Sequence, residues 1–180
     1  MHPTYWTTAL LVGVTLVLGA CTLPNEPSEG VEFTDVELGS PAWAVSAARD
    51  STFLAAYPFR NYSGVATAQR RVVRTTEEYA GLWEQLNAGR TPAMPAPSID
   101  MGEEMVVFVS LGQRSTGGYS VSIRHVTVLR DTLWVLVTER AAGPTCLVTA
   151  ALSQPTDARV VPRTTLPVRF RIRQEQLDCR

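Results

Sequence analysis

The stretch Met105-Val-Val-Phe-Val-Ser-Leu-Gly-Gln-Arg-Ser-Thr-Gly-Gly-Tyr-Ser-Val-Ser-Ile123 decides the fold. Residues 105–111 form an almost unbroken apolar run, which is typical of a strand buried on both faces. Residues 119–123 alternate apolar and polar side chains, which predicts a strand with one buried face. Three glycines and two hydroxyl residues separate the runs, so we expect two strands joined by a loop whose glycines can take positive φ values.

Further short strands surround this pair. The apolar residues 126–129 extend the second strand, Arg130 and Asp131 form a turn, and residues 133–137 form the next strand. A strand with a solvated arginine face is predicted before the pair, over residues 63–74. Weaker strand candidates cover residues 147–152, 159–161 and 166–172.

One helix is predicted between the first strand and the central pair. Thr75 and Glu78 have the spacing of a capping box, and Gly89 ends the helix. Four apolar residues at i, i+3, i+4 and i+7 line one face: Tyr79, Leu82, Trp83 and Leu86. Residues 91–97 contain three prolines and form an extended connection. The predicted fold is mainly β, an antiparallel sandwich or a partly open barrel with one packed helix.

The N-terminal part of the chain has the features of an export signal. Residues 7–20 carry no charge, and as a helix they would span about 21 Å, which is shorter than a membrane span of about 20 residues. The run ends in Leu18-Gly19-Ala20-Cys21, which resembles the lipobox of bacterial lipoprotein signal peptides. The resemblance implies that Cys21 becomes the lipid-modified first residue of the mature protein. A plain secretory signal followed by a chance cysteine is the alternative.

This interpretation divides the chain into three segments. Residues 1–20 are predicted to be the signal peptide, residues 21–35 a flexible acidic tether, and residues 36–180 a β-rich domain. The protein is then expected outside the cytoplasm, lipid-anchored to a bacterial membrane. Thr22, rather than Asp, follows the lipidated cysteine. By resemblance to Gram-negative sorting, this favours the outer membrane where the host has one.

The charge and the cysteines exclude some classes of partner and favour one covalent bond. A formal net charge of −1 at pH 7 gives no electrostatic basis for nucleic-acid binding. Beyond the lipidation site, Cys146 and Cys179 remain as an even pair, which predicts a disulfide in an oxidising compartment. The bond would close about 34 residues and contribute roughly 3–4 kcal/mol. The alternative is a free, nucleophilic Cys146.

The sequence offers little basis for catalysis. His125 is the only histidine after the predicted signal peptide, so a Ser-His-Asp or Cys-His arrangement would have to use it. Asp100, Glu103 and Glu104 cluster before the apolar run, where a solvated strand entrance is expected rather than a glycosidase pair. Zinc sites require several histidine or cysteine ligands. We therefore predict no catalytic residues, no metal and no cofactor.

The glycine-rich loop is the best candidate for a binding site. A loop held between rigid strands is a usual position for binding residues, and Tyr and Arg are enriched at interface anchors. A simple hairpin connection is the alternative. The loop is expected to present backbone amides, a hydroxyl group and an aromatic ring to a protein partner through Arg114, Ser115, Thr116, Gly117, Gly118 and Tyr119.

Residues 112–123 resemble the signature of the PrcB C-terminal-domain family, a strand followed by Gly-x-Arg-x-Thr-Gly-Gly-Tyr and another strand. The element order agrees, since a helix containing Leu82-Trp83 comes first, and the resemblance spans about residues 63–173. The family's namesake is a lipoprotein that supports a surface protease complex. The resemblance therefore implies a non-enzymatic accessory module that binds or stabilises an envelope protein partner, with a protease as one candidate.

Two alternatives remain open. Residues 114–119 are also loosely similar to the Asn-Pro-Thr-Thr-Gly-Tyr loop of chagasin-type cysteine-protease inhibitors, although the Asn-Pro pair is absent. That similarity implies an inhibitor that inserts a loop into a protease cleft. The third possibility is a structural envelope lipoprotein whose main features are its lipid and its tether.

Overall fold

A computed structural model describes residues 59–179 of the chain. The predicted signal peptide, the lipidation site Cys21, the predicted tether and residues 36–58 of the predicted domain lie outside the described residues. Within residues 59–179, no helix is long and apolar enough to span a membrane.

Two three-stranded sheets and one short helix make up the described part of the chain, with no closed barrel. The first sheet has the order β1-β2-β5 and the second β3-β4-β6. This confirms the predicted mainly β fold with one packed helix. In chain order the elements are β1 (Ala68–Val73), α1 (Thr76–Leu86), β2 (Glu104–Leu111), β3 (Ser120–Leu129), β4 (Thr132–Ala142), β5 (Thr156–Pro162) and β6 (Val168–Leu177).

The apolar run of β2 is buried on both faces because its sheet is the middle of three layers. Val106 and Phe108 belong to a core cluster that includes the apolar side chains of α1. Met105 and Val107 belong to a second cluster that includes the inward side chains of β3 and β4. In a strand, successive side chains point to opposite faces. An almost continuous apolar sequence is therefore what a central strand between two cores requires.

The helix begins and packs as predicted. The hydroxyl of Thr75 accepts from the Glu78 backbone N–H, and the Glu78 carboxylate accepts from the Thr75 N–H, which completes the capping box. The four predicted apolar residues are all buried. Trp83 Nε1–H donates to the Met94 carbonyl at 2.7 Å, and the Tyr79 hydroxyl donates to the Pro97 carbonyl at 2.9 Å. The helix therefore also holds the proline-rich connection that follows it.

One strand pair differs from the antiparallel expectation. β3 and β4 form an antiparallel hairpin through Arg130 and Asp131, both of which have positive φ, but β6 pairs with β4 in parallel. The reason is the path of β5, which belongs to the other sheet and returns the chain to the end where β4 begins. There the Leu133 N–H donates to the Pro167 carbonyl at 2.9 Å, so β6 starts beside the start of β4.

Side chains of β5 join the two sheets at the edge of β3. The register of β3 shifts between Ile123 and His125, which makes Arg124 the extra residue of a bulge. At this point the Ile123 N–H donates to the Asp157 carboxylate at 2.7 Å, and its carbonyl accepts from the Arg159 guanidinium at 3.0 Å. Burial raises the pKa of the Asp157 carboxyl, against the lowering effect of the Ile123 hydrogen bond.

Two sequence-based boundaries need correction. The first strand covers residues 68–73 rather than 63–74. The weak candidate at residues 147–152 is wrong, because this segment forms no strand and its apolar side chains Leu147, Val148 and Leu152 are exposed. Its local pattern resembles a strand, but its backbone contacts a loop rather than a sheet.

Candidate functional site

The glycine-rich loop, residues 112–119, carries the chain from one sheet to the other. We call it the motif loop. Gly112 begins it at φ +70°, and a Cβ there would lie 2.6 Å from the Ala68 nitrogen and 2.8 Å from the Ala66 oxygen. The Gln113 N–H donates to the Ala66 carbonyl at 2.9 Å. Where the loop departs from β2, it packs directly against the segment that leads into β1. A side chain at position 112 would therefore have no room.

The motif loop packs along residues 143–153, which we call the disulfide loop. Arg114 and Ser153 exchange two backbone hydrogen bonds, at 2.8 and 3.0 Å. The Gly117 N–H donates to the Thr149 carbonyl at 2.9 Å, and the Ser153 hydroxyl donates to the Thr116 carbonyl at 2.8 Å. Several of the polar backbone groups expected to face a partner are therefore used within the domain.

The paired glycines of the motif are explained by this packing. A Cβ on Gly117 would lie 2.4 Å from the Thr149 hydroxyl oxygen. Gly118 has φ +81°, and its Cβ would lie 2.6 Å from a Val148 methyl group and 2.7 Å from the Ala142 Cβ. The Gly118 carbonyl also accepts from the Ala142 N–H at 2.9 Å. The glycines thus let the disulfide loop approach the motif loop at van der Waals distance.

The predicted disulfide is confirmed and holds the other side of the same loop. Cys146 is bonded to Cys179, just beyond the end of β6, with their Cα atoms 4.9 Å apart. The Gly143 N–H donates to the Leu177 carbonyl at 2.8 Å, and the Cys146 N–H donates to the Gly143 carbonyl at 3.0 Å. The disulfide loop is therefore fastened to β6 on one side and to the motif loop on the other.

The tip of the disulfide loop is apolar and faces solvent. Leu147 is fully exposed, and Val148 and Leu152 are also exposed. No charged residue occurs between Arg140 and Asp157. The local pattern of residues 147–152 predicts a strand. The sequence feature that could have indicated an exposed loop is the long uncharged stretch around Cys146. Contiguous exposed apolar surface is typical of interaction sites.

The side chains of Arg114 and Tyr119 form part of a neighbouring cleft of about 360 Å³. The Arg114 guanidinium lies over the Tyr119 ring, 5.4 Å from its centroid, which is a cation–π arrangement. The other lining residues come from the ends of β2, β4 and β6 and include Leu111, Glu139, Arg140 and Glu175.

The charges of this cleft are largely paired. Glu139 accepts from Arg70 at 3.0 Å, and Glu175 accepts from Arg140 at 2.7 Å. The hydrogen bond from Arg140 is the main reason that the pKa of the Glu175 carboxyl is lowered. Of the six predicted binding residues, Ser115 and Gly118 are exposed and the other four are half-buried. The motif loop therefore offers two large side chains at the cleft and a tightly packed glycine backbone beside it.

The other candidates considered for chemistry lie apart from this site. His125 is exposed on β3 next to the bulge. Asp100, Glu103 and Glu104 surround the turn that leads into β2, where the Asp100 carbonyl accepts from the backbone N–H groups of the two glutamates. In residues 59–179, no group of three or more His, Cys, Asp or Glu side chains could hold a metal ion.

Comparison with known proteins assigns one segment of the chain to a family. No curated protein and no solved structure matches the sequence. The family described as PrcB C-terminal matches residues 105–162. The match runs from β2 to the end of β5 and is shorter than the span of 63–173 expected from the sequence. It includes both the motif loop and the disulfide loop, and residues 105–162 of this chain are therefore a PrcB C-terminal domain.

Proposed function

We propose that this protein is a non-enzymatic, lipid-anchored accessory module that binds a protein partner outside the cytoplasm. The observation that carries the proposal is the exposed apolar tip of the disulfide loop, Leu147, Val148 and Leu152. Contiguous exposed apolar surface marks interaction sites, and these three residues lie within six positions of one another in a loop that the disulfide holds in place. The resemblance of the N-terminal segment to a lipobox supports the anchor at Cys21.

The construction of the disulfide loop suits an interface anchor. A loop that is already ordered loses less conformational entropy when it binds, and this favours affinity. Here a disulfide fixes one side and backbone hydrogen bonds to Arg114 and Gly117 fix the other. The Arg114 and Tyr119 side chains of the motif loop line the neighbouring cleft. We infer that the partner has an apolar pocket for the tip and contacts these two side chains beside it.

The partner can be identified by site-specific photo-crosslinking in the native envelope. A photoreactive phenylalanine analogue replaces Leu147, and the control places the same analogue at Asp131. Asp131 lies in the hairpin turn at the start of β4, whereas Leu147 follows the end of that strand. One dominant protein adduct from position 147, absent from position 131, is the expected result. Equal adducts at both positions would contradict a specific contact at the tip.

A second measurement separates a protein partner from the lipid surface. Purified Cys21→Ser protein, which lacks the lipid acceptor, is mixed with phospholipid vesicles and floated on a density gradient. The proposal expects no flotation, with or without Leu147→Ser. Flotation that Leu147→Ser abolishes would assign the tip to the bilayer and overturn the partner contact. Incorporation of labelled palmitate into the wild type but not into Cys21→Ser tests the anchor itself.

If the crosslinked partner is a protease, its activity decides the direction of the effect. The module is expected to slow inactivation of the protease on incubation at elevated temperature, as a stabilising subunit does. Arg114→Ala and Tyr119→Ala variants are expected to lose co-purification with the partner while retaining the melting temperature. Inhibition of the protease by the wild-type module would instead favour the chagasin-type alternative.

A further inference from the structure

A second surface lies between the edges of the two sheets. β1 pairs only with β2, and β6 only with β4, among the strands of residues 59–179. Between them runs an open groove of about 610 Å³, lined on one side by β1 and on the other by residues 165–168 and Phe170. Its β1 side consists of Arg70, Arg71 and Val72 of the strand and of Arg74, which follows the strand.

The groove follows the unpaired edge of β1. Successive side chains of a strand point to opposite faces. Val72 packs against the core between the sheets, whereas Val73, and with it Arg71, face the layer of the helix. Residues on both faces of β1 line the same groove. The groove therefore runs along the edge of the strand. An unpaired edge presents a row of N–H and C=O groups to which another extended chain can pair.

Arginine contacts mark both ends of the groove. At one end the Arg74 guanidinium donates to the carbonyls of Thr164 and Leu166, at 3.3 and 3.4 Å. At the other end Arg70 forms its 3.0 Å ion pair with Glu139. Between residues 70 and 74 a strand rises about 13 Å, at roughly 3.3 Å per residue. The open length therefore fits about four residues of an extended segment.

Arg71, between these two ends, has donors without acceptors. Its Nε and Nη2 atoms are buried and form no hydrogen bond within residues 59–179. Glu78 is close enough for Arg71 to contribute to lowering the pKa of its carboxyl, but that carboxylate accepts from the backbone N–H groups of Arg74 and Thr75. A buried charged donor without an acceptor is costly. A bound carboxylate that the Arg71 side chain meets by turning toward the groove would supply the acceptor that residues 59–179 lack.

The charge of the groove selects the kind of segment. None of the described residues that line it is acidic, and three of them are arginines. Its apolar components, Val72, Val168 and Phe170, are partly buried against the core between the sheets. A segment that alternates carboxylates with apolar side chains matches both features, because an extended chain turns successive side chains to opposite faces.

We propose that this groove binds an extended acidic segment of a partner protein, which adds to the free edge of β1 with a carboxylate on Arg71. Strand addition of this kind obtains affinity from main-chain hydrogen bonds and specificity from alternate side chains. The site is separate from the apolar tip of the disulfide loop and does not depend on the lipid anchor.

The test uses a fluorescently labelled, end-capped octapeptide of alternating Val and Glu. Its binding to the purified full-length protein in detergent is followed by fluorescence anisotropy. Saturable binding is expected, weakened at least tenfold when Gln replaces Glu in the peptide. Arg71→Gln is also expected to weaken binding at least tenfold. The matched control, Arg169→Gln, changes an exposed arginine on β6 that does not line the groove, and it should leave binding within twofold of wild type.

The proposal would be overturned by no saturable binding, by equal binding to Arg71→Gln, or by equal binding of a backbone N-methylated peptide that cannot pair with a strand edge. Displacement of the peptide by millimolar inorganic phosphate would assign the site to small anions and also contradict it. Amide chemical shifts of the wild-type protein during the titration keep the test decisive if Arg71→Gln fails to fold. The largest changes are expected at residues 70–73, and changes confined to other residues would reject the site.

Discussion

Replacing Gly118 by alanine tests why the motif requires glycine at this position. Gly118 has φ +81°, and the added Cβ would lie 2.6 Å from a Val148 methyl group and 2.7 Å from the Ala142 Cβ. An L-residue other than glycine in the left-handed region costs roughly 1–2 kcal/mol. Added volume in a close-packed contact costs a further 1–3 kcal/mol or so. We therefore expect Gly118→Ala to lower the free energy of unfolding by about 2–5 kcal/mol.

The contribution of the contact can be separated from that of the backbone. Gly89 also has positive φ, +78°, but an added Cβ there meets no atom within 4 Å. Gly89→Ala should therefore cost only the conformational part, roughly 1–2 kcal/mol. The double variant Gly118→Ala/Val148→Ala should recover part of the loss, because it removes the Val148 methyl group that the new Cβ would meet but leaves the Ala142 Cβ, which is fixed in β4.

The assay is urea unfolding at equilibrium under non-reducing conditions, with the melting temperature as a second measure. For a domain of this size, 1 kcal/mol corresponds to about 3–6 °C, so a loss of about 2–5 kcal/mol should make Gly118→Ala melt about 6–30 °C lower than wild type. If Gly118→Ala destabilises no more than Gly89→Ala, the motif loop does not contact the disulfide loop as described. The interpretation of the paired glycines would then be refuted.

Three further predictions concern stability. Replacing both Cys146 and Cys179 by serine should lower the free energy of unfolding by about 3–4 kcal/mol, and an unchanged urea midpoint would contradict the crosslink. Gly81→Ala should raise the free energy of unfolding by up to about 1 kcal/mol, because helix propensity favours alanine and an added Cβ meets nothing within 4 Å. Destabilisation would contradict the open space beside this helical position. Asp157→Ala should lower the free energy of unfolding by roughly 1–3 kcal/mol by leaving the Ile123 N–H without its acceptor. Because burial raises the pKa of Asp157, the folded protein holds this proton more tightly than the unfolded chain. The contribution of the Asp157 carboxyl to the free energy of unfolding therefore increases as pH falls through its pKa in the folded protein towards the ordinary carboxyl pKa. Asp157→Asn should remove this part of the pH dependence of the urea midpoint. The same pH profile in the variant and in the wild type would contradict the role of Asp157.

Of the two parts of the candidate site, the glycine motif is easily recognised in the sequence, whereas the exposed apolar residues are not. The motif Thr116-Gly117-Gly118-Tyr119 is conspicuous in the sequence, and it lies in the loop that packs along the disulfide loop. Its packing shows that the glycines serve the approach of the disulfide loop, so the motif's most distinctive residues are structural. The exposed Leu147 has no such signature, because one leucine in an apolar segment has the same local pattern whether it is buried or exposed.

The sequence by itself determined the elements whose cause is local. The capping box at Thr75 and the periodicity from Tyr79 to Leu86 specify α1, and the unbroken apolar run specifies β2 as a strand between two cores. The even cysteine pair indicated the disulfide, and the residues around Tyr119 indicated the family. Each of these signals lies within a few residues or in a simple count.

Only the tertiary structure decided how these elements meet. The parallel pairing of β6 with β4 follows from the path of β5 through the other sheet. The acceptor of the Ile123 N–H, Asp157, lies 34 residues further along the chain. Whether Leu147 is buried, or Arg71 has an acceptor, likewise depends on which distant segments pack nearby. Contacts between distant segments leave no period in the local sequence, so the exposed tip and the β1 edge became visible only in the folded chain.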